Sequence, residues 1–364
     1  MCGIYGFTTA GKNESRALLD RMGEVLFHRG PDGCGTYIDD HMALGHRRLS
    51  IIDLNSGAQP MEDWLGRYVV SFNGEIYNFQ ELRAQLKSAG FRFRTRSDTE
   101  VILAAYATYG EECVRHFQGM FAFALWDKKE RTLMLGRDRV GKKPLYYYHK
   151  GDQFVFASEI KAILAMGAIA RDWDAAALNE YLTFGYIHAP MTIFKNIRQV
   201  GEAHTLVYKD NQCQERQYWT LPEPGSDGQT EEESVANLEI LLQKAVDSRL
   251  ISDVPLGAFL SGGVDSSAVV AMMARSSAHV NTFTIDFAEK TFSELEDARS
   301  VSMHCATNHK ILQVSTDSVA VLPQIAWHFD EPFADSSAIP TYYVSKMARE
   351  HVTVILSGDG GDEL

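Results

Sequence analysis

The sequence predicts two domains of different class: packed antiparallel sheets covered by helices, then a parallel α/β sheet. Three observations carry this. Proline, glycine and acidic residues cluster in Leu221-Pro-Glu-Pro-Gly-Ser-Asp-Gly-Gln-Thr230 and the three glutamates that follow, between two apolar-rich regions. Before the cluster, strand-like runs follow one another with helices interleaved. After it, strands and helices alternate, the pattern of a parallel sheet. The expected boundaries are 1–205 for the first domain, 206–233 for a connecting segment and 234–364 for the second.

Within the first region, residues 67–72 and 119–126 (GMFAFALW) read as strands, the second apolar throughout and so buried on both faces. Residues 132–136, 144–148 and 153–157 continue the pattern. Asn78 with Glu81 predicts a capped helix over 79–88. Ser97 with Glu100 predicts a capping box for 98–109, with Val101, Ile102, Ala105, Tyr106 and Tyr109 on one face. In the second region a helix is expected over 234–250. A strand at 254–260 then runs into Ser261-Gly-Gly-Val-Asp-Ser-Ser267 and an alanine-rich helix to about residue 275. A strand (280–286), a helix (293–306), a strand (311–314), further helices and a last strand (352–356) follow. Ligands of such sheets sit beyond the carboxyl ends of strands, where two glycine-rich polar loops lie, 261–267 and 357–363. The chain stops just past a buried strand, at one of these loops, so a fragment with an incomplete second domain is expected.

Composition bounds the function. The chain has 364 residues, 45% of them hydrophobic and 23% charged, which suits packed cores. A formal net charge of −13 opposes general affinity for nucleic acid or an anionic membrane. Cys2, Cys34, Cys113, Cys213 and Cys305 are scattered and show no C-x-x-C spacing, so neither a disulfide framework nor a zinc site is expected. With no signal-peptide pattern and no apolar run of membrane length, the expected compartment is the reducing cytoplasm.

Cys2 becomes the first residue if Met1 is removed. A terminal cysteine carries its own base: a free α-amine, with a reference pKa of ~7.7–8.0, can take the thiol proton near neutral pH. By position alone an incidental cysteine is the commoner case. Other segments change that. Asn73-Gly74-Glu75 follows a strand, and an Asn side chain beside a Gly N–H can form an oxyanion hole. Gly136-Arg-Asp-Arg-Val-Gly141-Lys142-Lys143 nearly matches a phosphate-binding G-x-x-x-x-G-K-[ST] loop. Lys143 stands where the hydroxyl belongs, and Pro144 blocks a following helix, so a structural turn is expected there instead.

Met-Cys-Gly-Ile, HRGPD, RLSIID, NGEIYN and SDTE together closely resemble class II glutamine amidotransferases, N-terminal-nucleophile enzymes with a four-layer αββα fold. The resemblance spans residues 1 to about 200. It implies that Cys2 attacks the side-chain amide of glutamine and releases ammonia, with Asn73 and the Gly74 N–H holding the oxyanion. It implies that Arg48 binds the glutamine α-carboxylate, that Glu75 and Asp98 face its α-amine, and that the backbone from Leu49 through Ser50 and Ile51 to Ile52 lines the pocket.

The string from Ser261 to Ser267 resembles the pyrophosphate loop of enzymes that split ATP into AMP and pyrophosphate. That resemblance places Gly262, Gly263, Ser266 and Ser267 around the phosphates and Asp265 on Mg²⁺, with Leu260 and the Ile285 backbone against the nucleotide. Ser357 and Gly358 complete the ATP site, Asp359 faces the acyl-adenylate, and Asp362 is a second Mg²⁺ ligand. As a whole the chain resembles the glutamine-hydrolysing asparagine synthetase family, the second domain being adenine nucleotide hydrolase-like. The implied ligase adenylates an acceptor carboxylate with ATP, and ammonia from the first domain displaces AMP. Asp359 stands where close asparagine synthetases carry Glu, and 330–340 lacks the arginine expected near an aspartate. SGDGGDEL, HRRLSIIDL and DSSAIPTYYV resemble amidotransferases attached to exosortase and exopolysaccharide systems. The acceptor is therefore aspartate, a sugar acid or another carboxylate. A glutaminase acting alone is the other enzymatic reading, and a homodimer is the expected assembly.

Overall fold

The computed structural model describes all residues except 10, 224, 226, 227, 229, 288–293, 315–319 and 362–364. Two compact units result: Met1–Pro222 with Asp330–Ala334, and Glu223–Phe329 with Asp335–Leu364.

The first unit holds, in chain order, β1 (Gly3–Thr8), α1 (Lys12–Val25), β2 (Gly33–Ile38), β3 (Met42–Arg48), β4 (Met61–Glu62), β5 (Tyr68–Ile76), α2 (Phe79–Ser88), α3 (Thr99–Tyr109), β6 (Gly119–Asp127) and β7 (Thr132–Arg137). β8 (Tyr146–Lys150), β9 (Gln153–Ala157), α4 (Ile160–Leu164), α5 (Ala175–Phe184), β10 (Ile197–Gln199), β11 (His204–Lys209) and β12 (Gln212–Gln217) follow. Two antiparallel sheets form, ordered β10-β8-β9-β1-β3-β2 and β12-β11-β7-β6-β5-β4. Ile4, Met42, Leu44 and Phe156 of the first sheet pack with Val69, Ala122, Ala124 and Leu135 of the second. Tyr5, Phe7 and Val155 face the other way, onto Leu18 and Met22 of α1 and Ile160 and Ile163 of α4. α3 packs on β5 and α2 on α3. This is the expected αββα sandwich.

Two expected helix starts form differently. Asn78 does precede α2, but its side chain is spent on a loop, donating to His116 O and accepting from Gln118 N–H, both at 3.0 Å. Glu100 does not close a capping box with Ser97. Its carboxylate accepts the backbone N–H groups of Arg94 (2.8 Å) and Thr95 (2.7 Å), pinning the strandless segment before α3. The expected connector is also too long. Asp210 and Asn211, with φ of 49° and 61°, make a two-residue turn of the type that suits hairpins, so 204–217 extends the second sheet.

The second unit contains α6 (Glu231–Arg249), β13 (Leu256–Phe259), α7 (Val264–Ser276), β14 (Asn281–Phe287), α8 (Leu295–His304), β15 (Asn308–Val314), α9 (Leu322–Phe329), α10 (Ala338–Arg349) and β16 (Val354–Leu356). Thr230 and Glu233 form a reciprocal capping box that starts α6 inside the acidic run read as linker. The four strands run parallel in the order β15-β14-β13-β16. Val246, Val270, Met273 and Ala298 from α6, α7 and α8 cover one face, and Val344, Met347 and Ala348 of α10 the other. The alternating second half thus folds as expected. No helix among the described residues is long and apolar enough to cross a membrane.

Candidate active site

Cys2 stands just before β1, and its thiol lies against the chain leaving β3. Sγ accepts from Leu49 N–H at 3.4 Å and faces Leu49 O at 3.6 Å. Burial pushes the thiol up, while the Leu49 N–H, the chain's amino terminus, Arg29 and Arg48 pull the other way. Arg29, on a single helical turn, donates from Nε to Cys2 O at 2.8 Å and from Nη1 to Glu159 at 2.8 Å.

Asn73 and Gly74 sit on β5, opposite Ala122 and Phe121 of β6. Asn73 is 1% exposed, and neither its Nδ2 nor its Oδ1 has a hydrogen-bond partner. An unmade bond on a buried amide costs about 1–3 kcal/mol, so both atoms are expected to meet something in the working protein. Gly74 is required by close approach: a Cβ there would overlap Met120 O. Lys143 is buried and pushed down to about 8 by desolvation, with the Glu75 and Cys2 charges opposing the shift. The charges of Glu75, on β5, and of Cys2 thus both act on this ammonium.

Asp98 is buried at the start of α3 and accepts from Ile76 N–H at 3.0 Å. Desolvation raises its carboxyl to about 6, against hydrogen bonds that lower it. Arg48 donates to Ile52 O (3.3 Å), Asp53 O (2.6 Å) and Leu54 O (3.2 Å), shaping the loop that carries Leu49 to Ile52. Gly57 leaves room for that guanidinium, since a Cβ would overlap Nη2. Not all five guanidinium donors are used by these bonds. The 136–143 turn is structural. Asp138 accepts the N–H groups of Phe121, Val140, Lys142 and Lys143, and Arg137 donates to Lys143 O, Val200 O and Gly141 O.

In the second unit, β13 leads through Leu260–Gly263 into α7. Ser261 Oγ and Ser266 Oγ share a hydrogen bond at 2.9 Å, and Gly263 N–H donates to Ser261 Oγ at 3.3 Å. Gly262 has φ 88°, and a Cβ there would come within 2.6 Å of Asp297 Cβ. Ser267 Oγ is buried without a partner. The loop after β16 packs on this turn: a Cβ on Gly358 would lie 2.7 Å from Ser266 N, and one on Gly361 would overlap the Asp265 carboxylate. Ser357 Oγ donates to Asp359 Oδ2 at 2.9 Å. The Leu260 side chain is 1% exposed in the core, so only its backbone faces the turn; its carbonyl accepts from Thr284 Oγ1. Ile285 is half-buried beside Phe283. Asp362 lies outside the described residues. Among the described residues no cluster of three His, Cys, Asp or Glu side chains could hold a metal ion.

Reading the sequence gave no site role to Arg29, Lys143 or Glu159. Arg29 lies in the quoted HRGPD string, and Lys143 in the near-match to a phosphate loop.

Residues 1–219 match the glutamine amidotransferase domain model and 237–364 the asparagine synthase model. Asparagine synthetase (glutamine-hydrolyzing) 1 of Bacillus subtilis is 38% identical, across 100% of this chain and 58% of its own length. Asparagine synthetase (glutamine-hydrolyzing) 3 of the same organism is 36% identical, across 100% and 62%. "Putative asparagine synthetase (glutamine-hydrolyzing) 2" of Methanocaldococcus jannaschii is 38% identical, across 100% and 75%. This chain thus spans about three fifths of the two Bacillus relatives. It belongs to the glutamine-hydrolysing asparagine synthetase family, an amidotransferase domain followed by an asparagine synthase domain.

Proposed function

We propose that the protein is a glutamine- and ATP-dependent ligase that converts an acceptor carboxylate to its amide. The observation that carries this reading is the orphaned buried amide of Asn73, on the same strand as Glu75, whose charge acts with that of Cys2 on Lys143. With Met1 removed, the α-amine of Cys2 takes the thiol proton and the thiolate attacks the glutamine side-chain carbonyl. Asn73 Nδ2 and the Gly74 N–H receive the developing oxyanion. Ammonia leaves with a proton returned to it, and water then cleaves the thioester to glutamate. Arg48 binds the substrate α-carboxylate; Glu75 and Asp98 hold its α-ammonium.

In the second domain the acceptor carboxylate attacks the α-phosphorus of ATP and pyrophosphate leaves. Ammonia then adds to the acyl carbon and AMP departs. Gly262, Gly263 and the α7 N-terminus suit a phosphate, and Ser267 Oγ offers it an unspent hydroxyl. Magnesium at phosphate sites is commonly held by one or two carboxylates together with the phosphates, and Asp265 fits that part. Bound there, Mg²⁺ would offset charge on the departing pyrophosphate. Aspartate is the acceptor that the relatives' names suggest; Asp359, tethered by Ser357, faces the acyl group, and a sugar acid remains within its reach.

Mass spectrometry of the protein with glutamine, ATP, Mg²⁺ and a panel of carboxylates tests this. An amidated acid with matching AMP and pyrophosphate is expected. Glutamate release without pyrophosphate for any acid would leave a glutaminase only. Undiminished glutamine hydrolysis by Cys2→Ala would remove Cys2 from the mechanism.

A further inference from the structure

We infer that Asp330 is a positioning residue of the glutamine-splitting site, acting on Cys2 through Lys161, Glu159 and Arg29. The inference rests on the reading of Cys2 as nucleophile and adds a component to it.

The chain of contacts is continuous. Cys2 O accepts from Arg29 Nε at 2.8 Å, and Arg29 Nη1 meets Glu159 Oε1 at 2.8 Å. His28 Nε2 meets the same oxygen at 3.0 Å. Glu159 Oε2 bonds Lys161 Nζ. Lys161 then engages Asp330 twice, Nζ to Oδ1 at 3.1 Å and its backbone N–H to Oδ2 at 3.0 Å. Beside this end, Glu331 Oε2 accepts from Ile193 N–H at 3.0 Å. The side chains of Arg29, Glu159, Lys161 and Asp330 are each 10% exposed or less.

Charges alternate along this buried line: cation, anion, cation, anion. In such surroundings a charge that loses its partner turns to the next one. Without the Asp330 carboxylate, Lys161 leans harder on Glu159 and draws it from Arg29, and Arg29 donates to the Cys2 carbonyl. Burial pushes the Glu159 carboxyl up, but the His28 hydrogen bond and the Arg29 and Lys161 charges more than reverse this, so it stays ionised.

The origin of Asp330 gives the line its meaning. The segment Asp330–Ala334 packs with the first unit, yet the chain on both sides of it, α9 and α10, counts with the second. From α10 the chain passes through β16 into the Ser357–Gly361 loop. Residues from within the stretch that matches the asparagine synthase model thus count with the first unit and end the line that supports Cys2.

Steady-state glutamine hydrolysis by the full protein tests this, with Asp330→Asn, Lys161→Met and the double variant compared and Cys2→Ala as control. Asp330→Asn is expected to lower kcat about tenfold to a hundredfold, the loss typical of a displaced reacting group, with KM within about twofold. The rate of Cys2 alkylation should change with it. The double variant should lose no more than the worse single one, because both cut one line. Wild-type kcat in Asp330→Asn, or losses that multiply in the double variant, would overturn the inference. Where Asp330→Asn does not fold, Asp330→Glu replaces it: the charge is kept but displaced by one methylene, and a smaller kcat loss at constant KM is expected, wild-type kcat again counting against. Activity surviving in Cys2→Ala would instead refute the nucleophile itself.

Discussion

Lys143 Nζ lies 3.1 Å from the Met1 sulfur, so a buried ammonium touches the residue that precedes Cys2. Desolvation has already pushed this lysine down to about 8. Its folded pKa lies below the ordinary 10.5, so between about pH 8 and 10.5 the unfolded chain holds the extra proton and stability rises with pH. Urea unfolding at pH 7.5 and 9.5 should show a gain in the native protein that Lys143→Met loses. Equal gains in both would place the lysine in ordinary solvent.

Asn73→Ala separates activity from stability. Loss of one oxyanion donor is expected to lower kcat for glutamine by about 10²–10³. The melting temperature should hold or rise, because the substitution deletes two buried polar atoms without partners. A variant that keeps its kcat and melts earlier would make Asn73 a packing residue.

Asp98 gives a pH test of opposite sign. Its carboxyl is raised from 3.8 to about 6, so the folded state binds the extra proton and this group's contribution to stability falls as pH rises from about 4 to 6. Asp98→Asn should lose less stability than the native protein between pH 4.5 and 7. If Asp98 faces the substrate ammonium, the same variant also raises the KM for glutamine. An unchanged pH profile of unfolding would refute the buried, protonatable carboxyl.

Gly361→Ala tests the second site alone. The added methyl must displace the Asp265 carboxylate or the loop after β16. Pyrophosphate release from ATP should fall at least tenfold, about 1.4 kcal/mol in the barrier, while glutamine hydrolysis without ATP persists. Normal pyrophosphate release would separate Asp265 from the ATP chemistry.

Much of this was legible because it is local. The alternation after residue 234 gave the parallel sheet, and the apolar run at 119–126 gave a strand buried between layers. The Asn73–Gly74 pair carried weight only jointly with the motifs around Cys2, Arg48 and Asp98. What escaped notice was either a weak local signal or a long-range partnership. Asp210-Asn211 is a two-residue hairpin turn, and Thr230-Glu-Glu-Glu233 is a capping box, yet both lay in a stretch read as linker for its composition. Glu100 lies three residues after Ser97, as a capping box needs, but found stronger partners in Arg94 and Thr95. Arg29, Glu159 and Asp330 are far apart in the chain, and no spacing rule joins them.

The two sheets of the first domain divide the proposed reacting parts between them. Cys2 is carried by β1 and Asn73 by β5, which lie in opposite sheets, and Ile4, Leu44, Ala122, Ala124 and Leu135 fill the space between. The spacing of Cys2 and Asn73 thus depends on how this layer is filled, since packed sheets stand about 10 Å apart. On the proposed function, core residues away from the substrate tune the glutamine chemistry: a bulkier Ala124 would act as a shim between two plates, and an emptied Leu44 would let them settle together.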